Sequence, residues 1–271
     1  MRYFESLTQK PGKNRLQENP CKLLDFELLV LDEGQSLTGS SADREVIAIV
    51  LGGRVTIEAA GKTFAEIGAR ANVFAGKPHS VYLPANLEYK VRGVTAAEVA
   101  LASAPSSLVT DPYHIGPDQV VSGTWGYANH TRHFHQILVE SVQPNFPAQR
   151  LIVGETYTPS GNWSTYPAHK HESDDLPNEA YHEEMYYFRV APTSGFGITR
   201  FYRDERDNEE AINFTVTDNS ILKLPHGYHT YVGAPGFQSY YLWFLAGNHR
   251  TQAVTADQAQ VDGLAGLKYT G

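Results

Sequence analysis

Apolar and polar positions alternate over short stretches of this chain, with a period of two more often than 3.6. Residues 45–51 (EVIAIVL) form a β-rich run closed by Gly52-Gly53, and 54–59 (RVTIEA) alternates before Ala60-Gly61. Two such runs joined by two glycines predict a β-hairpin. Phe64, Phe74, 81–83 and 89–91 continue the rhythm, punctuated by Gly68, Gly76, Pro78 and Pro84, while 98–102 (EVALA) fits strand or helix equally. The glycines and prolines of 104–128 read as a connection. Strand-like runs then resume at 136–142, 150–157, 184–190, 197–202, 211–216, 221–224 and 239–246. Residues 161–181 are polar and proline-bearing and read as a long loop, and 251–271 reads as a short helix or loose end. Two β-rich halves of similar size predict a duplicated β-barrel.

Composition agrees with short strands. The 271 residues include 23 Gly, 15 Pro, 16 Tyr and 12 Phe but 2 Met, a balance that disfavours long helices. A net charge of −8 gives no global reason to seek nucleic acid or an anionic membrane, and no apolar run reaches the roughly 18 residues of a spanning helix. The opening MRYFESLTQKPGKNR lacks a secretory apolar segment, and the single Cys21 makes no internal disulfide. A cytoplasmic setting is therefore expected.

Histidines carry the candidate chemistry. His169-Lys170-His171 is followed by Glu183-Glu184, and then by Leu224-Pro225-His226-Gly227-Tyr228-His229. On a strand, residues two apart face one side, so His-x-His aims two imidazoles together. A carboxylate from the next strand and an imidazole from a later one complete a four-ligand site for a first-row divalent metal. An isolated His-x-His is common and carries little weight; the ordered set carries more. A second cluster, His130, His133 and His135 with Glu140, competes less well. Glu140 lies at an odd separation from His135, which on a continuous strand turns the two to opposite faces.

These blocks resemble the bicupins, and more narrowly the 5-deoxy-glucuronate isomerases of myo-inositol catabolism. The resemblance rests on 154–171 (GETYTPSGNWSTYPAHKH), on Glu183-Glu184 with the aromatic run through Phe188, and on 224–229. In the first half it rests on Asp43-Arg44-Glu45 and 73–84 (VFAGKPHSVYLP). The Gly–Trp–Pro–His-x-His block is also similar to the deoxy-hexosulose-uronate ketol-isomerases; the long segment between His171 and Glu184 favours the inositol-pathway group. The resemblance implies an all-β bicupin of two double-stranded β-helix (jelly-roll) barrels. Residues 1–125 would form a cupin-like domain without a metal site, where His79 stands alone, and 126–271 a metal-binding cupin. The implied ligands are His169, His171, Glu184 and His229, with Glu183 the fallback for Glu184. Two departures, Thr230 after the last histidine and His226 where a basic residue is commoner, remove no ligand.

The implied reaction converts 5-deoxy-D-glucuronate to 5-dehydro-2-deoxy-D-gluconate, an aldose–ketose isomerisation assisted by a divalent metal, zinc or manganese. Proton transfer needs a base, for which Glu183, Tyr186, Lys223 and His182 are the candidates; a hydride shift would need none. Arg200, Arg203, Lys170 and Arg132 are available for the substrate carboxylate. The expected partner is a small sugar acid, with no nucleic acid or membrane, in a homo-oligomer (dimer or hexamer). The rival readings are an isomerase of a related uronate, a metal-dependent cupin dioxygenase or decarboxylase, and a sugar-binding regulator; the last lacks a DNA-binding region.

Overall fold

A computed structural model describes residues 3–203 and 211–266. Its first half contains β1 (Phe4–Ser6), β2 (Gly12–Arg15), β3 (Asp25–Leu31), β4 (Ser36–Ser40), β5 (Arg44–Gly52), β6 (Val55–Ala59), β7 (Lys62–Ile67), β8 (Ser80–Leu83), β9 (Glu88–Gly93), β10 (Ala97–Pro105) and β11 (Tyr113–Ile115). Its second half begins with β12 (Val121–Trp125), β13 (Arg132–Leu138), β14 (Leu151–Thr158), β15 (Trp163–Lys170), β16 (His182–Ala191) and β17 (Gly197–Tyr202). It ends with β18 (Ile212–Val216), β19 (Ser220–Leu224), β20 (Tyr228–Gly233), β21 (Gln238–Gly247), β22 (Thr255–Ala256) and a helix, α1 (Gln258–Gly266).

The strands form four layered sheets. A four-stranded sheet (β4-β9-β6-β7) faces a six-stranded one (β11-β8-β5-β10-β3-β2) across a core of Val46, Val50, Ile57, Val81, Val91 and Val99. The six-stranded sheet packs its other face on a seven-stranded sheet (β1-β19-β16-β21-β14-β13-β12) through Phe26, Ile47, Ile49, Tyr187, Leu242 and Phe244. That sheet in turn faces a five-stranded one (β18-β17-β20-β15-β22) across Tyr186, Phe188, Tyr231, Tyr241 and Trp243. The result is two jelly-roll sandwiches set back to back.

This layering explains the sequence pattern. In β5, Ile47, Ile49 and Leu51 enter the central core while Val46, Ala48 and Val50 enter the outer one. With both faces buried, the strand is a continuous apolar run and not an alternating one. Strand β6 alternates because one of its faces is more exposed. The same two-sided burial settles 98–102 as strand, within β10.

Three sequence expectations are corrected. Gly52-Gly53 closes no hairpin: β5 pairs with β8 and β10, while β6 pairs with β7 and β9. The two glycines carry the chain between sheets, and a Cβ on Gly53 would lie 2.2 Å from the Ala96 carbonyl oxygen. The hairpin comes at Ala60-Gly61, both at positive φ, as a two-residue turn of this kind demands. Residues 161–181 are not all loop, because β15 occupies 163–170; its pairing with β20 breaks between Ser164 and His169, around Pro167. Likewise 104–128 is only partly a connection, since β10 runs to Pro105 and β11 and β12 follow. The helix expected in the tail is α1; residues 267–271 lie outside the described residues.

The two halves are stitched by buried carboxylates. Glu45 accepts backbone N–H groups of Gln149, Arg150 and Leu151 at 2.7–2.8 Å and the Tyr82 hydroxyl at 2.6 Å. Glu155 takes two guanidinium nitrogens of Arg70, at 2.6 and 3.0 Å, with Tyr240 and Tyr157 as further donors. The chain start also crosses over, placing β1 beside β19 and pairing Glu5 with Lys223 at 2.7 Å.

Side chains of Arg70 and Glu155 are 2% and 0% exposed, so losing one leaves the other charge buried. Arg70→Ala is expected to lower the unfolding free energy by about 3–5 kcal/mol in urea denaturation, with the paired Arg70→Met/Glu155→Leu variant recovering most of it. An unchanged midpoint for Arg70→Ala would refute the clasp.

Candidate metal centre

Three strands from two sheets build the centre. In the five-stranded sheet, His169 of β15 lies directly opposite His229 of β20, and their ring centroids are 4.7 Å apart. His171 follows at the end of β15 on the same side as His169. From the seven-stranded sheet, β16 presents Glu184 across the gap. Glu184 Oε2 lies 3.0 Å from His171 Nε2 and 3.1 Å from His229 Nε2. One ligand atom from each of the four residues falls within 4.8 Å of all the others. Among the described residues, no other group of three or more His, Cys, Asp or Glu side chains converges in this way.

Neighbouring carbonyls set the imidazoles. His171 Nδ1 lies 2.7 Å from the His182 carbonyl oxygen, which can only accept, so Nδ1 carries the proton and Nε2 is the donor atom for a metal. The His182 N–H returns a bond to the His171 carbonyl at 2.9 Å, and His182 Nε2 is held by the His249 carbonyl at 2.7 Å. Such outer contacts orient metal-binding imidazoles. Three nitrogens and one carboxylate oxygen, mostly buried and turned on one point, fit a first-row divalent ion.

Charge agrees with that use. Burial, reinforced by His229 and His171, drives His169 well below the usual imidazole range and keeps its lone pair free. Burial alone would raise Glu184, yet hydrogen bonds from His171 and His229 hold it well below the usual carboxylate range. Burial would lower His171, but the hydrogen bond and charge of Glu184 outweigh it and raise it.

A cavity of about 320 Å³ opens on the cluster. Its walls include Tyr186, Tyr241, Trp243, Thr156 and Thr165, and its more exposed part is formed by Trp125, Arg132, Gln252 and Val254. Tyr186 Oη lies 3.0 Å from His229 Nε2, and burial with the nearby Glu184 charge keeps the phenol protonated. Tyr241 Oη meets Ser164 Oγ, and Trp243 Nε1 donates to Thr156 Oγ1 at 3.0 Å.

Strand alternation sends two expected catalytic side chains elsewhere. Glu183 points into the central interface, where it accepts backbone N–H groups of Lys22, Leu23 and Leu24 at 2.7–3.2 Å. Lys223 also turns that way, with its ammonium donating to Glu5 and to the Glu18 carbonyl. Neither lines the cavity, which corrects their assignment to the reacting site; Tyr186 and His182 do line it. Of the four candidate cations, Lys170 pairs with Glu172 at 2.8 Å, Arg200 stacks on Tyr202, and Arg203 reaches His226; Arg132 lines the cavity. His133 and His135 bond to Thr124 and Ser122 of β12, and His79 stacks on His114 at a nitrogen separation of 3.0 Å. Trp125, Tyr241, Trp243 and Val254 are additions to the residues expected from sequence. Tyr241 and Trp243 share the parity of Leu245 in 239–246, but that run is apolar on both faces, so its periodicity does not say which face is lined.

Known proteins support a common ancestry across the chain. The model of the KduI/IolB family matches residues 9–262. The 5-deoxy-glucuronate isomerase of Geobacillus kaustophilus (strain HTA426) is 40% identical over 227 residues, covering 83% of this chain and 80% of the relative. That of Bacillus licheniformis is 38% identical over 258 residues, covering 90% and 93%. Among solved structures, an IolB-like protein from Salmonella typhimurium LT2 matches with a TM-score of 0.89 and 32% identity, covering 96% of this chain and 98% of that one. Bacillus subtilis oxalate decarboxylase matches at a TM-score of 0.63 and 12% identity over 99% of this chain and 82% of its own, a likeness of fold.

His171→Ala is expected to reduce bound metal in elemental analysis to background while the far-ultraviolet circular dichroism stays that of the parent. Retained stoichiometric metal would refute the centre. Proton linkage gives a second test. Because His171 is raised by Glu184, this pairing stabilises the metal-free protein fully below the ordinary histidine value, and the contribution is lost as pH rises through the raised value. Metal must displace that proton, so affinity for zinc in calorimetric titration should rise with pH across the same window and then level.

Proposed function

The chain belongs to the KduI/IolB family, and from its cavity we propose that it is an aldose–ketose isomerase converting 5-deoxy-D-glucuronate to 5-dehydro-2-deoxy-D-gluconate. The observation that carries this reading is the convergence of His169, His171, Glu184 and His229 on one point, with the first three lining a cavity, in a chain so closely related to enzymes of that name. The reaction moves the carbonyl from C1 to C2 with no net redox change, through the enediol that the two sugars share. Its difficulty is the loss of a proton from carbon beside the carbonyl.

His169, His171, Glu184 and His229 would hold a divalent ion, for which zinc or manganese suits the mixed nitrogen and oxygen donors. When bound, it supplies positive charge at the carbonyl and neighbouring hydroxyl oxygens, which eases ionisation of the intervening C–H bond. Tyr186, kept neutral, presents an O–H that donates to whichever sugar oxygen gains charge. Aromatic walls at Tyr241 and Trp243 exclude water from the reacting carbons, with their polar atoms tied back to Ser164 and Thr156. Near 125/126 we divide the labour: the first unit is scaffold, lending β1 to the sheet that carries Glu184, and the second unit holds the site. A cytoplasmic homo-oligomer, dimer or hexamer, fits a metabolic enzyme whose cysteine, Cys21, is free and buried. Among the described residues, no helix is long and apolar enough to cross a membrane.

The metal-loaded protein should interconvert the two sugar acids, read by carbon NMR, without oxygen uptake; uptake with no ketose formed would overturn the assignment. Tyr186→Phe should retain metal and lower kcat on the order of 100-fold. An undiminished kcat would remove Tyr186 from the reaction.

A further inference from the structure

The four-ligand cluster accounts for the carbonyl end of the sugar acid and leaves its other end unassigned. Among the described residues, the cavity wall holds one arginine and no lysine, Arg132 at the start of β13. It faces inward with Phe134, because Trp125, its direct cross-strand partner on β12, stacks on Phe134 and lies under the guanidinium at 5.3 Å. It shares that cavity wall with His169, Tyr186 and Tyr241. Among the described residues, no hydrogen bond or ion pair engages that guanidinium.

Other arginines near this half are anchored. Arg70 grips Glu155, Arg189 grips Glu98 and Asp218, Arg150 donates to the Gly247 carbonyl, and Arg250 to the Leu151 carbonyl. A guanidinium at a partly dry cavity wall, held by an aromatic face and not by a carboxylate, keeps its planar fork of donors available. From this geometry we propose that Arg132 anchors the substrate carboxylate through paired N–H···O bonds and so selects uronates over neutral aldoses. The proposal rests on the isomerase reading for its substrate and deepens it. Fixing the carboxylate at Arg132 directs the opposite, aldehyde end toward the four ligands, so the same contact gives affinity and orientation. Arg132 is thus a binding and positioning residue; it takes no part in the proton movement.

The test compares the metal-loaded parent with Arg132→Gln and Arg132→Lys. For 5-deoxy-D-glucuronate, Arg132→Gln should lower kcat/KM on the order of 100-fold, mainly through KM, with metal content unchanged. Lysine, a point charge without the fork, should restore part of the loss. For the neutral analogue carrying a hydroxymethyl group in place of the carboxylate, parent and Arg132→Gln should show equal kcat/KM. Calorimetric binding of the reduced substrate, whose aldehyde is a hydroxymethyl group, separates the two claims. Loss of that binding in Arg132→Gln supports the anchor even if the parent fails to turn over the uronate, a result that would overturn only the isomerase reading. Unchanged KM and unchanged binding in Arg132→Gln, or an equal loss on the neutral analogue, would overturn the anchor.

Discussion

Two adjacent glutamates on β16 point to opposite faces of one sheet, and the organisation of the molecule follows from that alternation. Glu184 looks into the gap between the seven- and five-stranded sheets and meets two imidazoles; Glu183 looks into the gap between the two halves and meets three backbone N–H groups. A slip of one residue would exchange them. It would put Tyr187 where the cavity is, and Tyr186 into the dry interface. Because both faces of the sheet are buried, the register is specified from two sides at once. The four clustered side chains inherit that definition without having to supply it.

The site also depends on the sheets keeping their separation. His169, His171 and His229 belong to one sheet and Glu184 to the other, so a small displacement of either layer opens the cluster. The seven-stranded sheet is fixed from behind by Glu45, Glu155, Glu183 and Glu5, each satisfied by donors across the interface or on the crossing chain start. Buried ions of this kind add little net stability compared with apolar packing. Their geometry is restrictive, however, since an unmet carboxylate in an apolar layer costs several kcal/mol. Cooperation between apolar packing and buried carboxylates therefore sets position more than strength, which is what a centre spanning two sheets requires.

Much of this was readable from sequence, and the exceptions share a cause. The strands, the duplication and the His-x-His, Glu, His order need only local pattern, so they are visible in one dimension. Glu183 and Lys223 were misplaced because a carboxylate beside a ligand and a lysine on the facing strand look available until the second half is seen to have a partner behind it. The hairpin at Gly52-Gly53 failed for a related reason: the glycines serve a close approach to Ala96, a contact distant in sequence. Strand β15 was hidden because its inward face is made of histidine and other polar residues, with Pro167 in the middle, so the usual apolar signal is missing. Cavity residues such as Tyr241 and Trp243 lie in a run that is apolar on both faces, where period says nothing about which face is lined.

The two halves share an architecture and differ in what fills it. Between the four- and six-stranded sheets the inward positions are aliphatic: Val46, Ala48, Val50, Val81, Leu83, Val91 and Val99. Short branched chains interdigitate there. In the second half the corresponding gap is lined by large rings whose polar atoms are tied to fixed partners: Tyr241 to Ser164, Trp243 to Thr156, Tyr231 to Ser239. A ring anchored at its rim cannot swing to fill space without abandoning a buried hydrogen bond. These tethers keep the cavity from collapsing onto the cluster, so the volume available to a sugar acid is itself a product of hydrogen bonding. The difference between the two gaps is thus written in the inward positions of equivalent sheets, and the fold alone does not decide it.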